Sequence, residues 1–192
     1  MKSKLTICLF VLLGIFLITG CEKNTKSNNS NNEGKTNTNS VVLYFSATGT
    51  TKRIAERIAN ELNSDIIEIA PKEEYKDEDL DYNNDCRANR EQNDPESRPE
   101  IKNTIDISKY DTIYLGYPIW WGTNPKIILT LLDTYDFTNK TIIPFCTSGS
   151  TGISGSVNDL RKYNNKLNIK EGKRFSINDS DDIIKKFVNN EA

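Results

Sequence analysis

Residues 41–45, VVLYF, form an apolar run too short for a helix, and within a few residues the hydrophobic period changes. From Thr50 onward, Ile54, Ala55, Ile58, Ala59 and Leu62 recur at helical spacing up to about Asn63. The exchange of a short apolar run for a helical pattern then repeats along the chain. Residues 65–69, DIIEI, predict a second strand closed by Pro71, and residues 111–117, DTIYLGY, a third. A helix carrying Ile127, Ile128, Leu131 and Leu132 follows, and residues 140–145, KTIIPF, predict a fourth strand. A weaker helix over 156–164 and a fifth strand over 173–177 come next. A closing helix over 180–190 has Ser180 as its N-cap, with Ile183, Ile184, Phe187 and Val188 facing inward. Strands alternating with helices require a parallel sheet covered on both faces, an α/β three-layer sandwich of five strands. Right-handed crossovers leave few topologies for it.

In open sheets of this type ligands bind beyond the carboxyl ends of the strands, where the strand order reverses. The loops after strands one, three and four are therefore the candidates. The first holds Ser46, Ala47, Thr48, Gly49, Thr50 and Thr51, six small residues with four hydroxyls and no charge. A helix starting near Thr50 offers unpaired N–H groups and the positive end of its dipole, so phosphate is a natural guest. Neither GxxxxGK[ST] nor GxGxxG is present. A hydroxyl-rich turn with a threonine cap is the plain alternative.

The second loop follows Tyr117 with Pro118, Ile119, Trp120, Trp121 and Gly122, and Pro125 closes it. Its adjacent tryptophans either pack against the sheet end or stack on a flat ligand. The third loop, Thr147, Ser148, Gly149, Ser150, Thr151 and Gly152, offers close backbone approach and further donors, or is simply a flexible Ser/Gly turn. Together the three loops suit a flat, phosphorylated heteroaromatic cofactor.

Between strands two and three, residues 72–104 are polar and poorly periodic, with a short helix expected over 81–93 before Pro95 and Pro99. Residues 72–100 carry eleven acids against five basic residues, a solvated surface or a docking face for a basic partner. Arg87, Arg90 and Arg98 there are candidate contacts to substrate or to an NAD(P)H phosphate, with ion pairs to neighbouring acids as the alternative.

The amino-terminal segment stands apart. Lys2 and Lys4 precede an apolar run from Leu5 to Ile18, followed by Thr19, Gly20 and Cys21, the layout of a secretory signal. The run falls short of the roughly 20 residues of a spanning helix, so a permanent transmembrane anchor is the weaker reading. Ile18-Thr19-Gly20-Cys21 resembles the lipobox of bacterial lipoproteins, whose cysteine is acylated and becomes the new N-terminus. An ordinary signal with an incidental cysteine is the alternative. Residues 22–40 contain no hydrophobic side chain, and read as a disordered tether spanning about 25 Å at roughly 5–6 Å times the square root of length. The expected organisation is a signal over 1–20, a lipidated Cys21 with its tether to 40, and a folded domain over 41–192. That domain would work outside the cytoplasm, anchored at the outer face of the cytoplasmic membrane.

Residues 1–20 hold two lysines and no acid, so the remainder has 23 basic residues against 27 acids, a charge of −4. Nucleic acid is an unsuitable partner for it. The chain has no histidine, which removes Ser-His-Asp and Cys-His catalysis and nearly all zinc sites, so no metal site is expected. Cys86 and Cys146 form no metal-ligand spacing and are expected as free thiols. With no evident catalytic residues, chemistry here falls to something bound.

SATGTT resembles the phosphate loop of the flavodoxins, while WW and TSGSTG stand where that family holds the isoalloxazine ring of FMN. YPIWWGTNP, IIPFCTSGS and DCRANREQNDPESRPEI resemble one flavodoxin-like subfamily, and the match runs from about Val41 to the end. The resemblance implies strand order 2-1-3-4-5 and one non-covalent FMN. It places residues 46–51 on the phosphate, 118–122 along one side of the ring, and 147–152 at its other edge. The long 72–104 segment departs from plain electron-carrier flavodoxins. The function implied is an FMN-binding redox protein, either an electron carrier with an unknown partner or an oxidoreductase using NAD(P)H or a quinone. A binding lipoprotein with this fold and no redox cofactor is the competing reading.

Overall fold

The structure, a computed structural model, describes residues 39–189. The signal segment, Cys21 and most of the tether lie outside the described residues. Five parallel pairings build the sheet from β1 (Ser40–Tyr44), β2 (Asp65–Glu68), β3 (Thr112–Pro118), β4 (Thr141–Thr147), β5 (Asn168–Ile169) and β6 (Lys173–Phe175). The strand order is β2-β1-β3-β4-β5, with β6 also paired to β4. This is the expected topology with one refinement. The fifth position is shared by two short segments: β5 pairs with Thr141 and Ile142, and β6 with Phe145, Cys146 and Thr147. The polar run Lys170-Glu171-Gly172 interrupts the edge.

Side chains alternate across the sheet, so each strand feeds two cores. Val41, Leu43 and Phe45 join Ile113, Leu115 and Tyr117 in one, with Ile127, Ile128 and Leu131 of α3 (Lys126–Thr134) and Val157 and Leu160 of α4 (Ser154–Tyr163). Val42 and Tyr44 join the other, with Ile54 and Ile58 of α1 (Thr50–Leu62) and Ile184 and Phe187 of α5 (Asp181–Val188). Burying each large apolar side chain contributes about 1.5–3 kcal/mol. Ser180 occupies the N-cap position of α5, followed by Asp181 and Asp182 in its first turn and Lys185 and Lys186 in its last. Those charges complement the helix dipole at both ends.

The 72–104 segment is held at its neck. Lys72 N–H donates to Glu100 O and Lys102 N–H to Ala70 O, each at 2.8 Å, around an antiparallel bridge between Pro71 and Ile101. Within it, α2 (Arg87–Asn93) is shorter than the sequence predicts, because Asp81 instead caps a tight turn: its carboxylate accepts from Asn83 and Asn84, and Asn84 N–H donates to Asp81 O. The three arginines are engaged in ion pairs: Arg87 with Glu91 at 2.7 Å, Arg90 with Asp85 at 3.5 Å and Arg98 with Asp133 at 2.7 Å. Cys86 and Cys146 are free and buried. Among the described residues no helix is long and apolar enough to cross a membrane.

Candidate functional site

β1 delivers the first loop and α1 receives it. Gly49 stands at the N-cap with φ +80°, a conformation that favours glycine, and no side chain caps the helix. The threonine-capped turn is therefore not what forms. Arg53 N–H closes on Gly49 O at 3.1 Å, so that among the described residues the amides of Thr50, Thr51 and Lys52 lie ahead of the first helical hydrogen bond, as expected of a helix start. No acidic residue lies in that first turn. Thr48 and Thr50 bring their hydroxyls to 3.4 Å, and Ser46 Oγ is buried without a hydrogen-bond partner among the described residues. An orphaned hydroxyl of this kind costs about 1–3 kcal/mol unless a ligand or water satisfies it. Ala47 packs on the core beneath.

β3 ends at Pro118 and runs into a two-residue hairpin. Trp120 N–H donates to Thr123 O at 2.9 Å and Thr123 N–H to Trp120 O at 3.0 Å, leaving Trp121 (φ 49°) and Gly122 (φ 83°) at the tip. Two consecutive left-handed residues are the signature of a type I′ turn, for which a tryptophan is an unusual choice. The turn separates the two indoles. Trp120 packs edge-on against Phe45 at 5.5 Å and Tyr75 at 5.1 Å, whereas Trp121 remains 45% exposed. One ring is structural and the other is presented.

The third loop is tied to the first two at its root. Thr147 Oγ1 lies 2.8 Å from Thr51 Oγ1, and Ile119 N–H donates to Thr147 O at 3.0 Å. Ser148 Oγ donates to Thr151 O, and Arg174 of β6 donates to Ser148 O at 3.2 Å. Gly149, Ser150, Thr151 and Gly152 are exposed. Just below, burial pushes the Cys146 thiol up to about 12, against the opposing charge of Arg174.

A cavity of about 430 Å³ opens where loops one and two meet, lined by Thr48, Leu80, Tyr82, Ile119, Trp120 and Trp121. Its size and apolar lining suit a small-molecule site. Thr48, Ile119, Trp120 and Trp121 are thus brought together, while residues 147–152 stay outside that lining, Thr147 being tied to Thr51 and Ile119. Sequence reasoning missed Leu80 and Tyr82, which come from the aperiodic segment, and Arg174, which lies on the short edge strand. Only the apolar character of two side chains in an acidic run marked the former. Free amides, an orphaned hydroxyl and an adjoining aromatic slot can accept an anion attached to a flat ring.

A parallel α/β sheet in the order β2-β1-β3-β4-β5, with a cavity at the carboxyl edge of β1 and β3, defines the flavodoxin-like class of fold. The family model described as flavodoxin matches residues 39–191, and the chain belongs to the flavodoxin family. It is similar to the crystal structure of a candidate flavoprotein from Bacteroides eggerthii, at 40% identity and a TM-score of 0.75, covering 78% of this chain and 95% of that one. A candidate flavoprotein from Bacteroides uniformis is similar at 38% identity and a TM-score of 0.75, over 78% and 97% of the two chains. A flavoprotein from Lactobacillus acidophilus, solved in complex with FMN, is 30% identical with a TM-score of 0.61, over 71% of this chain and 93% of that one. No curated protein matches.

Proposed function

We propose that the protein is an FMN-binding redox protein, anchored through a lipidated Cys21 to the outer face of the cytoplasmic membrane. The observation that carries the FMN reading is a first loop whose Ser46 hydroxyl is buried without a partner among the described residues, which runs into the start of α1 and whose Thr48 lines an aromatic-walled cavity. The FMN complex of the Lactobacillus acidophilus relative supports it. In this reading residues 46–51 hold the phosphate with uncharged donors and a helix dipole. Trp121 lies along the ring, braced by Trp120, and Thr147 fixes the third loop beside it. Bound FMN supplies one- and two-electron transfer. The chain's own part is to orient the ring, shed water from one face and set its potential. The −4 charge of residues 21–192 disfavours added negative charge on the ring and so lowers that potential.

An electron carrier is favoured over an NAD(P)H-dependent enzyme by the arginines. Arg87, Arg90 and Arg98 each pair with a carboxylate, and none of them lines the cavity beside the first two loops. The anchor rests on the Leu5–Ile18 run and the lipobox-like ITGC. The strand β1 begins at Ser40, at the sheet end away from the three loops. The purified full-length protein should take up FMN with quenched flavin fluorescence, and should turn over NAD(P)H with added quinone only slowly. A protein that stays colourless in excess FMN refutes the cofactor reading. Rapid steady turnover of NAD(P)H refutes the carrier reading.

A further inference from the structure

Tyr82 is an aromatic side chain that the fold presents to solvent at 71% exposure, yet its backbone is closely held. It occupies the second position of the turn that Asp81 caps, and Asn89 of α2 donates its Nδ2 to both Tyr82 O (3.3 Å) and Asn84 O. Leu80 stands two residues earlier, at the end of a 3₁₀ turn over Asp77–Asp79. Both side chains line the same cavity as Trp121 and Thr48. Tyr82 and Trp121 are two of five large hydrophobic residues exposed on the described surface; Ile66, Tyr163 and Ile177 line no part of that cavity.

The segment bearing Leu80 and Tyr82 is docked on the second loop. Gln92 of α2 donates to Trp120 O at 3.4 Å and Asn124 O at 3.3 Å, and accepts from Lys126 N–H at 3.0 Å. One side chain thus spans both ends of the tryptophan hairpin and the start of α3. Tyr75 packs on Trp120 and donates its hydroxyl to Glu91, which also pairs with Arg87. The distance between the Leu80–Tyr82 turn and the Trp121 tip is therefore set by packed and hydrogen-bonded contacts and not by a free loop.

We propose that Leu80 and Tyr82 are cofactor-contact residues, supplied by the 72–104 segment as an additional wall against the ring of the bound flavin. The inference rests on the FMN reading and extends it. The first loop, through Thr48, would hold the phosphate end, and the ring would occupy the cavity that Trp121, Leu80 and Tyr82 line together. A flat tricyclic ring is the occupant because the lining is aromatic and aliphatic, contains no charged side chain, and adjoins the anion cup through Thr48. The segment's length then has a purpose local to the ring.

The test is titration of FMN and of riboflavin into ligand-free full-length protein, followed by flavin fluorescence, for the parent and for Tyr82→Ala, Tyr82→Phe and Leu80→Ser. Aromatic stacking on a base is worth roughly 5- to 100-fold in affinity, and the ring is common to both ligands. Tyr82→Ala should weaken FMN and riboflavin by the same factor, about tenfold, with partial return of flavin fluorescence. Leu80→Ser should weaken both by a smaller common factor, and Tyr82→Phe should bind as the parent does. Parent-like affinity in both Tyr82→Ala and Leu80→Ser overturns the proposal and leaves the FMN reading standing; a loss for FMN without a matching loss for riboflavin also overturns it, since the ring is common to both. Failure of the parent itself to bind FMN overturns the proposal together with the functional reading beneath it.

Discussion

Thr51 and Thr147, 96 positions apart in sequence, place their hydroxyls 2.8 Å apart with both residues almost fully buried. This bond joins the first turn of α1 to the end of β4, and so sets the third loop against the first. Removing one hydroxyl strands the other in a dry environment, which costs about 1–3 kcal/mol, whereas removing both leaves no orphan. Thr51→Val and Thr147→Val should each lower stability by about that much in urea unfolding. The double variant should lose less than the sum. Strict additivity would show that the two groups do not act as a pair.

Trp121 sits in a left-handed conformation inside a type I′ turn, where Asn before Gly is the favoured pair. Trp121→Asn should therefore stabilise the ligand-free protein by about 0.5–1 kcal/mol, in the range of turn and backbone substitutions that relieve strain. The same change should weaken FMN binding by about tenfold. A gain in stability with a loss of affinity identifies the indole as a ligand-facing group maintained against local preference. Lower stability with unchanged affinity would assign it to the scaffold.

Gly116 of β3 lies against the ring of Phe145 on β4. A Cβ at Gly116 would stand 2.2 Å from Phe145 Cζ, and both residues are in the sheet's centre. Gly116→Ala should destabilise by about 1–3 kcal/mol through overpacking. Combining it with Phe145→Leu should recover part of the loss, which a thermal or urea melt of the three variants will show.

The Cys146 thiol contributes to an alkaline loss of stability that it shares with the buried hydroxyls of Tyr44, Tyr75, Tyr114 and Tyr117, which burial also raises. Burial raises its folded value from 9.0 to about 12, with Arg174 opposing. Because the folded value exceeds the unfolded one, the thiol's contribution is fully present below about pH 9 and is lost as pH climbs toward 12. The urea midpoint should fall across that window, and Cys146→Ala should fall less steeply. Parallel curves would contradict the assignment.

Much of this architecture was legible because its signals are local. Each buried strand is an apolar run, each helix changes the period, and the small-residue loops mark the carboxyl edge of the sheet. The edge next to β4 was less so: Asn168–Ile169 and Lys173–Phe175 are too short to show a period, and only pairing with β4 defines them. Adjacent tryptophans carry no sequence signal for which is buried; the I′ turn decides it by rotating Trp121 outward while Trp120 meets Phe45 and Tyr75. Leu80 and Tyr82 reach the cavity through tertiary contacts of Gln92 and Tyr75, which leave no periodic trace. Arg174 likewise meets Ser148 only once the sheet has formed.

The central claim is that uncharged donors at the start of α1 grip a phosphate while the neighbouring slot takes the ring. Comparing FMN with riboflavin affinity isolates the phosphate, since the ring is the same in both. The parent should bind FMN at least a hundredfold more tightly than riboflavin, and Thr48→Glu should abolish most of that difference by setting a carboxylate against the phosphate. Equal affinity of the parent for the two ligands, or a preference that Thr48→Glu leaves intact, would contradict the account.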